Sequence, residues 1–271
     1  MSSVADYYDG MQEIIDDSGN PDVFKISPSS IQDFFTETSR YYYEQVEGNE
    51  KAFQGSTSTL LGTLVHHCAE KTTANPSYYI TPEEIDEFLA TQIDVEYDES
   101  TIKALLPAMA GTLINNTVSN PDWDVIESEQ FNYAKLNDDV YIGGTFDCLR
   151  VDPAVQGGLC VVDFKTAGSK PSTLSQKYRL QAYAYAWMLR EQGKNITSIE
   201  LCYVVRPTKT LPVRYFNFKE FYTDENHAYI GRILKLIADS ISLYKHNPDL
   251  RRIIAQDANY EPTKPTVAFP L

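Results

Sequence analysis

The stretch 143–166, GGTFDCLRVDPAVQGGLCVVDFKT, decides the reading of the fold. It holds two apolar runs around the turn DPAVQGG, and the second, LCVV, leads straight into Asp163 and Lys165. Charge at the end of a buried strand is costly unless it is paired or binds an ion. Residues two apart on a strand share a face, so Asp163 and Lys165 point one way and Phe164 points the other. Asp147 closes the preceding apolar segment YIGGTFDCL. If the two runs pair antiparallel, Asp147 and Asp163 lie near one another at the sheet. Two carboxylates without a cation repel, and one is driven to hold a proton. A divalent metal resolves the conflict, and hard oxygen ligands suit Mg²⁺ or Mn²⁺. Lys165 then sits beside the metal, placed to orient or deprotonate a water or to steady charge on a phosphate. Taken alone, the DFK triplet also fits a plain ion pair at a solvated strand end.

Strands and helices extend from this stretch on both sides. Residues 125–136, 140–151 and 159–165 read as three strands joined by turns, 199–206 and 213–218 as two more. Residues 172–192 read as a helix closed by Gly193, and 223–246 as a long amphipathic helix. The N-terminal half reads as helical. Ser27-Pro28-Ser29-Ser30 is a helix-start signal, 60–71 is a helix capped by Ser58 or Thr59, Thr81 and Pro82 open another, and 101–118 is a third. The predicted fold class is α/β: a central mixed β-sheet flanked by helices, with an additional helical subregion in the N-terminal half. The predicted organisation is an acidic, mobile lead-in over 1–25, one domain over 26–258 with a helical insertion around 72–122, and an extended Pro-rich tail over 259–271.

Composition narrows the function. With 271 residues, 42% of them hydrophobic, the chain can bury one full core. No apolar run approaches the roughly 18 residues of a membrane span, and the N-terminus lacks a basic-then-apolar signal pattern. A cytoplasmic protein with no membrane partner is expected. Cys68, Cys148, Cys160 and Cys202 are scattered, a poor pattern for zinc or an iron–sulfur cluster, and read as buried thiols. The net charge of -15 argues against a broad phosphate-binding surface. Yet between Lys165 and Arg214 nine Lys or Arg stand against two Glu, which leaves room for a local positive face.

Further residues share faces. Gly62 and His66 are one helical turn apart, as are Gln181 and Tyr185. Gly inside a helix costs about 1 kcal/mol relative to Ala, so close backbone approach is expected at Gly62. Glu127 and Glu129 alternate onto one strand face, and either could assist the carboxylates. Each of these also has a plain reading, as surface or core histidine, core aromatic or solvated strand edge.

The ordered set Gly62-xxx-His66, Glu129, Gly144-xx-Asp147, Asp163-Phe-Lys165 and Gln181-xxx-Tyr185 resembles the RecB-type branch of the PD-(D/E)XK nuclease superfamily. ISPSSIQDFF followed by RYYY looks like the first helix of these nucleases, so the resemblance runs from about residue 26 to 218. It implies a restriction-endonuclease-like core and a metal-dependent DNA exonuclease acting in recombination, repair or replication. A structure-specific or restriction-like endonuclease and a non-cleaving DNA- or recombinase-binding module are the alternatives. It implies His66, Asp147, Asp163 and the Phe164 carbonyl as metal ligands, Lys165 as the catalytic lysine, and Glu129 as an assisting carboxylate that competes with Glu127. Gln181 and Tyr185 would organise the site and contact DNA, with Lys177, Tyr178, Arg179 and Tyr183 guiding a strand and the helical insertion covering it. Many relatives bind an iron–sulfur cluster through one upstream and three downstream cysteines. Here ETSRYYY fills the upstream place and only Cys202 follows Gln181, so no cluster is expected. No G-x-x-x-x-G-K-[ST] loop is present, so no ATP is expected and the chain reads as stand-alone. DNA is the implied substrate, a recombinase or single-strand-binding protein a further candidate partner, and a phage or bacterium the expected source.

Overall fold

The computed structural model describes residues 4–48, 55–92 and 95–255, and the backbone alone for 4–9, 252 and 255. The expected tail over 259–271, and 49–54 of the expected loop after the first helices, lie outside the described residues. Six strands form one mixed sheet: β1 (Phe24–Ile26), β2 (Val125–Lys135), β3 (Val140–Val151), β4 (Leu159–Ala167), β5 (Ile196–Val205) and β6 (Arg214–Phe221). Their order is β1-β3-β4-β5-β6, with β2 also on β3. β1 runs parallel to β3 and β4 parallel to β5; the other pairs are antiparallel. A parallel neighbour needs a crossover, and α7 (Gln176–Glu191) supplies it between β4 and β5.

Register makes the site. β2 pairs with β3 from Tyr141 to Arg150 and so occupies one edge of β3. The other edge holds β1 at 140–142 and β4 at 148–151. Between them, residues 143–147 have no strand partner on that edge, and the sheet opens into a notch. Asp147 lies at its lip, and β4 continues past it, carried by β5 as far as Ala167.

The alternation of β4 sends Val161 to one core and Val162 and Phe164 to the other. The first core packs α2 (Ile31–Thr36), α3 (Thr38–Tyr41), α7 and α8 (Asp224–His246) on the sheet; the second packs α4 (Thr57–Ala74), α5 (Pro82–Ala90) and α6 (Glu99–Asn116) on the opposite face. Residues 72–122 were expected to cover the site. Within this stretch Leu106, Met109 and Leu113 of α6 are fully buried among residues of the sheet, so α6 builds a wall of the core. Over 1–25 the sequence leaves room for a short helix. α1 (Val4–Ser18) and β1 are regular, and Ile14 is buried with Val23 and Tyr141, because Met11, Ile14 and Ile15 form an apolar stripe among the acidic residues.

Helix starts shift where a better cap is available. α4 begins after Ser56, whose hydroxyl accepts the Thr59 N–H, so neither Ser58 nor Thr59 is the cap. α5 has the predicted Thr81 cap, completed by Glu84. α7 begins four residues later than expected, because 172–175 form a loop anchored by buried Leu174.

Candidate active site

At the notch the Phe164 N–H donates to Asp147 Oδ2 at 2.5 Å. His66 reaches Asp147 Oδ1 from α4, with Nδ1 at 3.3 Å, and sets its ring edge-on to Phe164. Asp163 is buried and Lys165 Nζ lies 2.5 Å from its Oδ2. At that separation the ammonium and the carboxylate form a close, buried ion pair. The structure therefore brings His66, Asp147, Asp163, Phe164 and Lys165 together, as the sequence led us to expect.

Burial by itself would raise the Asp147 carboxyl, but His66, Lys165 and the Phe164 N–H outweigh it and hold the group below the usual carboxylate range. Asp163 goes the other way. Its deeper burial, with Asp147 beside it, raises its pKa despite Lys165. Two carboxylates in one site are thus pushed apart in proton affinity. Burial disfavours the Lys165 ammonium, yet Asp163 and Asp147 together raise its pKa and keep it charged.

Two glycines let the helices close on this site. A Cβ on Gly62 would stand 2.9 Å from Thr166 Oγ1, so only glycine lets α4 lie this near β4 and bring His66, one turn on, to Asp147. A Cβ on Gly144 would meet Pro28 at 3.0 Å and the Tyr185 hydroxyl at 3.2 Å. The turn before α2 and the middle of α7 therefore plug the unpaired edge of β3. The Tyr185 hydroxyl donates to the Thr145 carbonyl at 2.8 Å, two residues from Asp147. Burial, then Asp163 and Asp147, push that phenol far up; Gln181 is the hydrogen-bonding neighbour that opposes the shift.

Glu127 and Glu129 share a face of β2: Glu127 stands opposite Leu149, and the regular register from Glu127 to Lys135 sets Glu129 opposite Asp147. The register irregularity of β2 lies before Glu127, between it and Val125, and Glu129 adopts φ 49°, a left-handed conformation uncommon outside glycine. Lys194 holds both carboxylate oxygens of Glu127 at 2.5 Å. Glu129 acts on Tyr185 together with Asp147 and Asp163. The geometry sets Glu129, not Glu127, beside the other acids.

The expected strand-guiding residues divide. The Tyr178 ring centre lies 4.9 Å from Lys165 Nζ, within the site. Lys177 is ion-paired to Asp33 and Arg179 to Glu220, so their charges are matched internally. Tyr183 is buried against Tyr222, with its hydroxyl on Glu220, and offers no surface to a strand. Sequence reasoning missed Thr166, which touches Gly62, and Tyr203, which stands opposite Lys165 on β5. The strand LCYVV signalled that Tyr203 lies in the sheet, but only the register places it at the site.

Among the described residues no three His, Cys, Asp or Glu side chains converge into a preformed metal cage. The donor chemistry nevertheless fits a hard divalent cation. Two carboxylates and one imidazole meet at the notch, a hard oxygen and nitrogen donor set. All four cysteines are buried and free. Among the described residues no helix is long and apolar enough to cross a membrane.

The structure is similar to that of a candidate exonuclease from Eubacterium rectale, at 15% identity and a TM-score of 0.51, covering 92% of each chain. A weaker likeness, with a TM-score of 0.35 and 11% identity, links it to LHK-Exo, an alkaline exonuclease of Laribacter hongkongensis, over 69% of this chain and 92% of that one. No curated protein matches the chain. The sequence profile of the PD-(D/E)XK nuclease superfamily matches residues 25–262, and the chain belongs to that superfamily.

Proposed function

We propose that the protein is a metal-dependent deoxyribonuclease, an exonuclease that hydrolyses phosphodiester bonds at DNA ends during recombination, repair or replication. The observation that carries this reading is the buried pair Asp147 and Asp163 at the notch, with the Lys165 ammonium against them. His66, Asp147, Asp163 and the Phe164 carbonyl would hold Mg²⁺ or Mn²⁺. Such a cation supplies a Lewis acid and a more acidic bound water. The chain's own groups do the rest. Lys165, beside the two acids, is placed to orient or deprotonate a water or to steady negative charge on the scissile phosphate. The Tyr185–Thr145 bond fixes the strand that carries Asp147, and the Phe164 N–H orients its carboxylate. Glu129 assists from β2, opposite Asp147 in the register, and Gln181 keeps Tyr185 in place.

The test uses end-labelled linear and circular DNA with Mg²⁺, Mn²⁺ or EDTA. Metal-dependent loss of linear DNA alone, absent in Asp163→Ala, supports the exonuclease. Cutting of circles at the same rate replaces it with an endonuclease of the same fold. Binding without any cleavage replaces it with a DNA-binding module.

A further inference from the structure

Nine cations lie between Lys165 and Arg214, and five of them are neutralised within the molecule. Lys165, Lys177, Arg179, Arg190 and Lys194 pair with Asp163, Asp33, Glu220, Asp224 and Glu127. The other four, Lys170, Arg206, Lys209 and Arg214, have no carboxylate partner among the described residues. They are not scattered. Lys170 follows the end of β4. Arg206 follows β5, its N–H bonded to the Ala167 carbonyl that ends β4. Lys209 lies in the loop to β6, and Arg214 opens β6. Phe216 gathers two of them: Lys170 Nζ is 4.3 Å and Arg214 Cζ 5.6 Å from its ring centre. The Nε atoms of Arg206 and Arg214 are buried without a hydrogen-bond partner.

The sheet register connects this cluster to the candidate active site. Lys165 is opposite Tyr203 on β5, and Tyr203 is opposite Phe216 on β6. Residues directly opposite one another share a face, so Lys165, Tyr203 and Phe216 form one cross-strand row on the α7 side. Neighbouring strands are about 4.8 Å apart, which sets Phe216 about 10 Å from Lys165 along the row. Tyr178 covers the inner part, touching Lys165 and Tyr203, and Tyr203 is itself buried, so the row faces outward at its Phe216 end. β6 is the last strand, so the row runs from the buried carboxylates to the open edge of the sheet.

We propose that the outer end of this row is where a single DNA strand approaches the site, with Lys170, Arg206 and Arg214 holding its phosphates and Phe216 keeping the Lys170 and Arg214 side chains extended, and that its path inward passes over Tyr178 rather than over the buried Tyr203. The proposal rests on the nuclease reading and deepens it by naming the substrate's route. Cations packed on a ring keep their charge available, and phosphate is the ligand that uses it. A single strand can follow one row of cations. A duplex would press its second backbone against a molecule whose net charge is -15.

The test is binding of a labelled oligothymidylate, followed by fluorescence anisotropy in EDTA, where metal-dependent cleavage is silent. The double variant Lys170→Ala/Arg214→Ala is expected to bind about tenfold more weakly than wild type and with a shallower salt dependence, by about 1.4 in log–log slope for two lost contacts. Phe216→Leu keeps the apolar packing and tests the ring; it should weaken binding several-fold. Circular dichroism and melting confirm that each variant is folded. Equal affinity in wild type and folded variants, including no binding by any, overturns the path, as does a loss seen with duplex alone. The readout is independent of hydrolysis. A wild type that binds through these residues but cuts nothing refutes the nuclease reading and leaves the path standing.

Discussion

The Phe164 N–H donates to Asp147 Oδ2 across the gap where β3 and β4 part. A backbone donor from the strand bearing Asp163 and Lys165 thus positions the carboxylate of the neighbouring strand, and the spacing of the acids is set by the sheet itself. Asp147→Asn keeps the side-chain shape and lowers the charge. DNA hydrolysis is expected to fall about 10²–10³-fold, and stability at pH 7 to drop because the ionised Asp147 with its depressed pKa contributes to the fold, in parallel kinetic and calorimetric measurements.

Asp163 and Lys165 form a buried pair that serves the site more than stability. Removing one partner of such a pair typically costs about 3 kcal/mol, whereas replacing both with apolar or neutral groups is often neutral or stabilising. Lys165→Met is therefore expected to lower stability, and Asp163→Asn/Lys165→Met to restore it or exceed it while remaining inactive. Urea unfolding of the two variants checks this. A double variant less stable than Lys165→Met would show that the pair is a structural clamp.

Gly62 gives a steric prediction. Gly62→Ala gains about 1 kcal/mol of helix propensity but sets a methyl 2.9 Å from Thr166 Oγ1. Overpacking costs about 1–3 kcal/mol, so the single variant is expected to lose stability and, through displaced His66, activity. Thr166→Ala in the same chain removes the obstacle and should recover both. Thermal melts and cleavage rates of the single and double variants decide the matter.

Asp152 predicts the acid limb of stability. It is buried and accepts from Thr197, Ser198 and Lys219, each at 2.7 Å, and from the Ala154 N–H at 3.0 Å. Burial would raise its pKa, but these partners outweigh it and depress the folded-state value. A group with a depressed folded pKa stabilises above its unfolded value, about 3.9, and loses that contribution as pH falls from there through the folded value. Asp152→Asn should be less stable than wild type at pH 7 and lose less on acidification toward pH 2. Parallel slopes of stability against pH would contradict this assignment.

The sheet was legible because its signals are local. Alternation marked β2, β3 and β4 almost to their ends, and the β4 sequence announced that Phe164 and Asp163 face opposite ways. The ordered motifs identified the residues that meet at the notch. Three things were not legible. Which acid stands at the site depends on the pairing with β3, which sets Glu129 opposite Asp147 and Glu127 opposite Leu149, so alternation alone left the two equivalent. The internal pairs of Lys177 and Arg179 depend on Asp33 and Glu220, remote in sequence, and hid which cations stay unmatched. The apolar stripe of α1 is short and masked by acids, so only its packing on Tyr141 reveals it as part of the fold.

The most direct test of the central claim is release of acid-soluble nucleotides from uniformly labelled linear DNA by wild type and by Asp163→Asn/Lys165→Met, with Mg²⁺ present. The account predicts steady release by wild type and none by the double variant, although the variant melts at or above the wild-type temperature. Equal release by both would place hydrolysis elsewhere in the molecule, and no release by either would contradict the nuclease assignment of this notch.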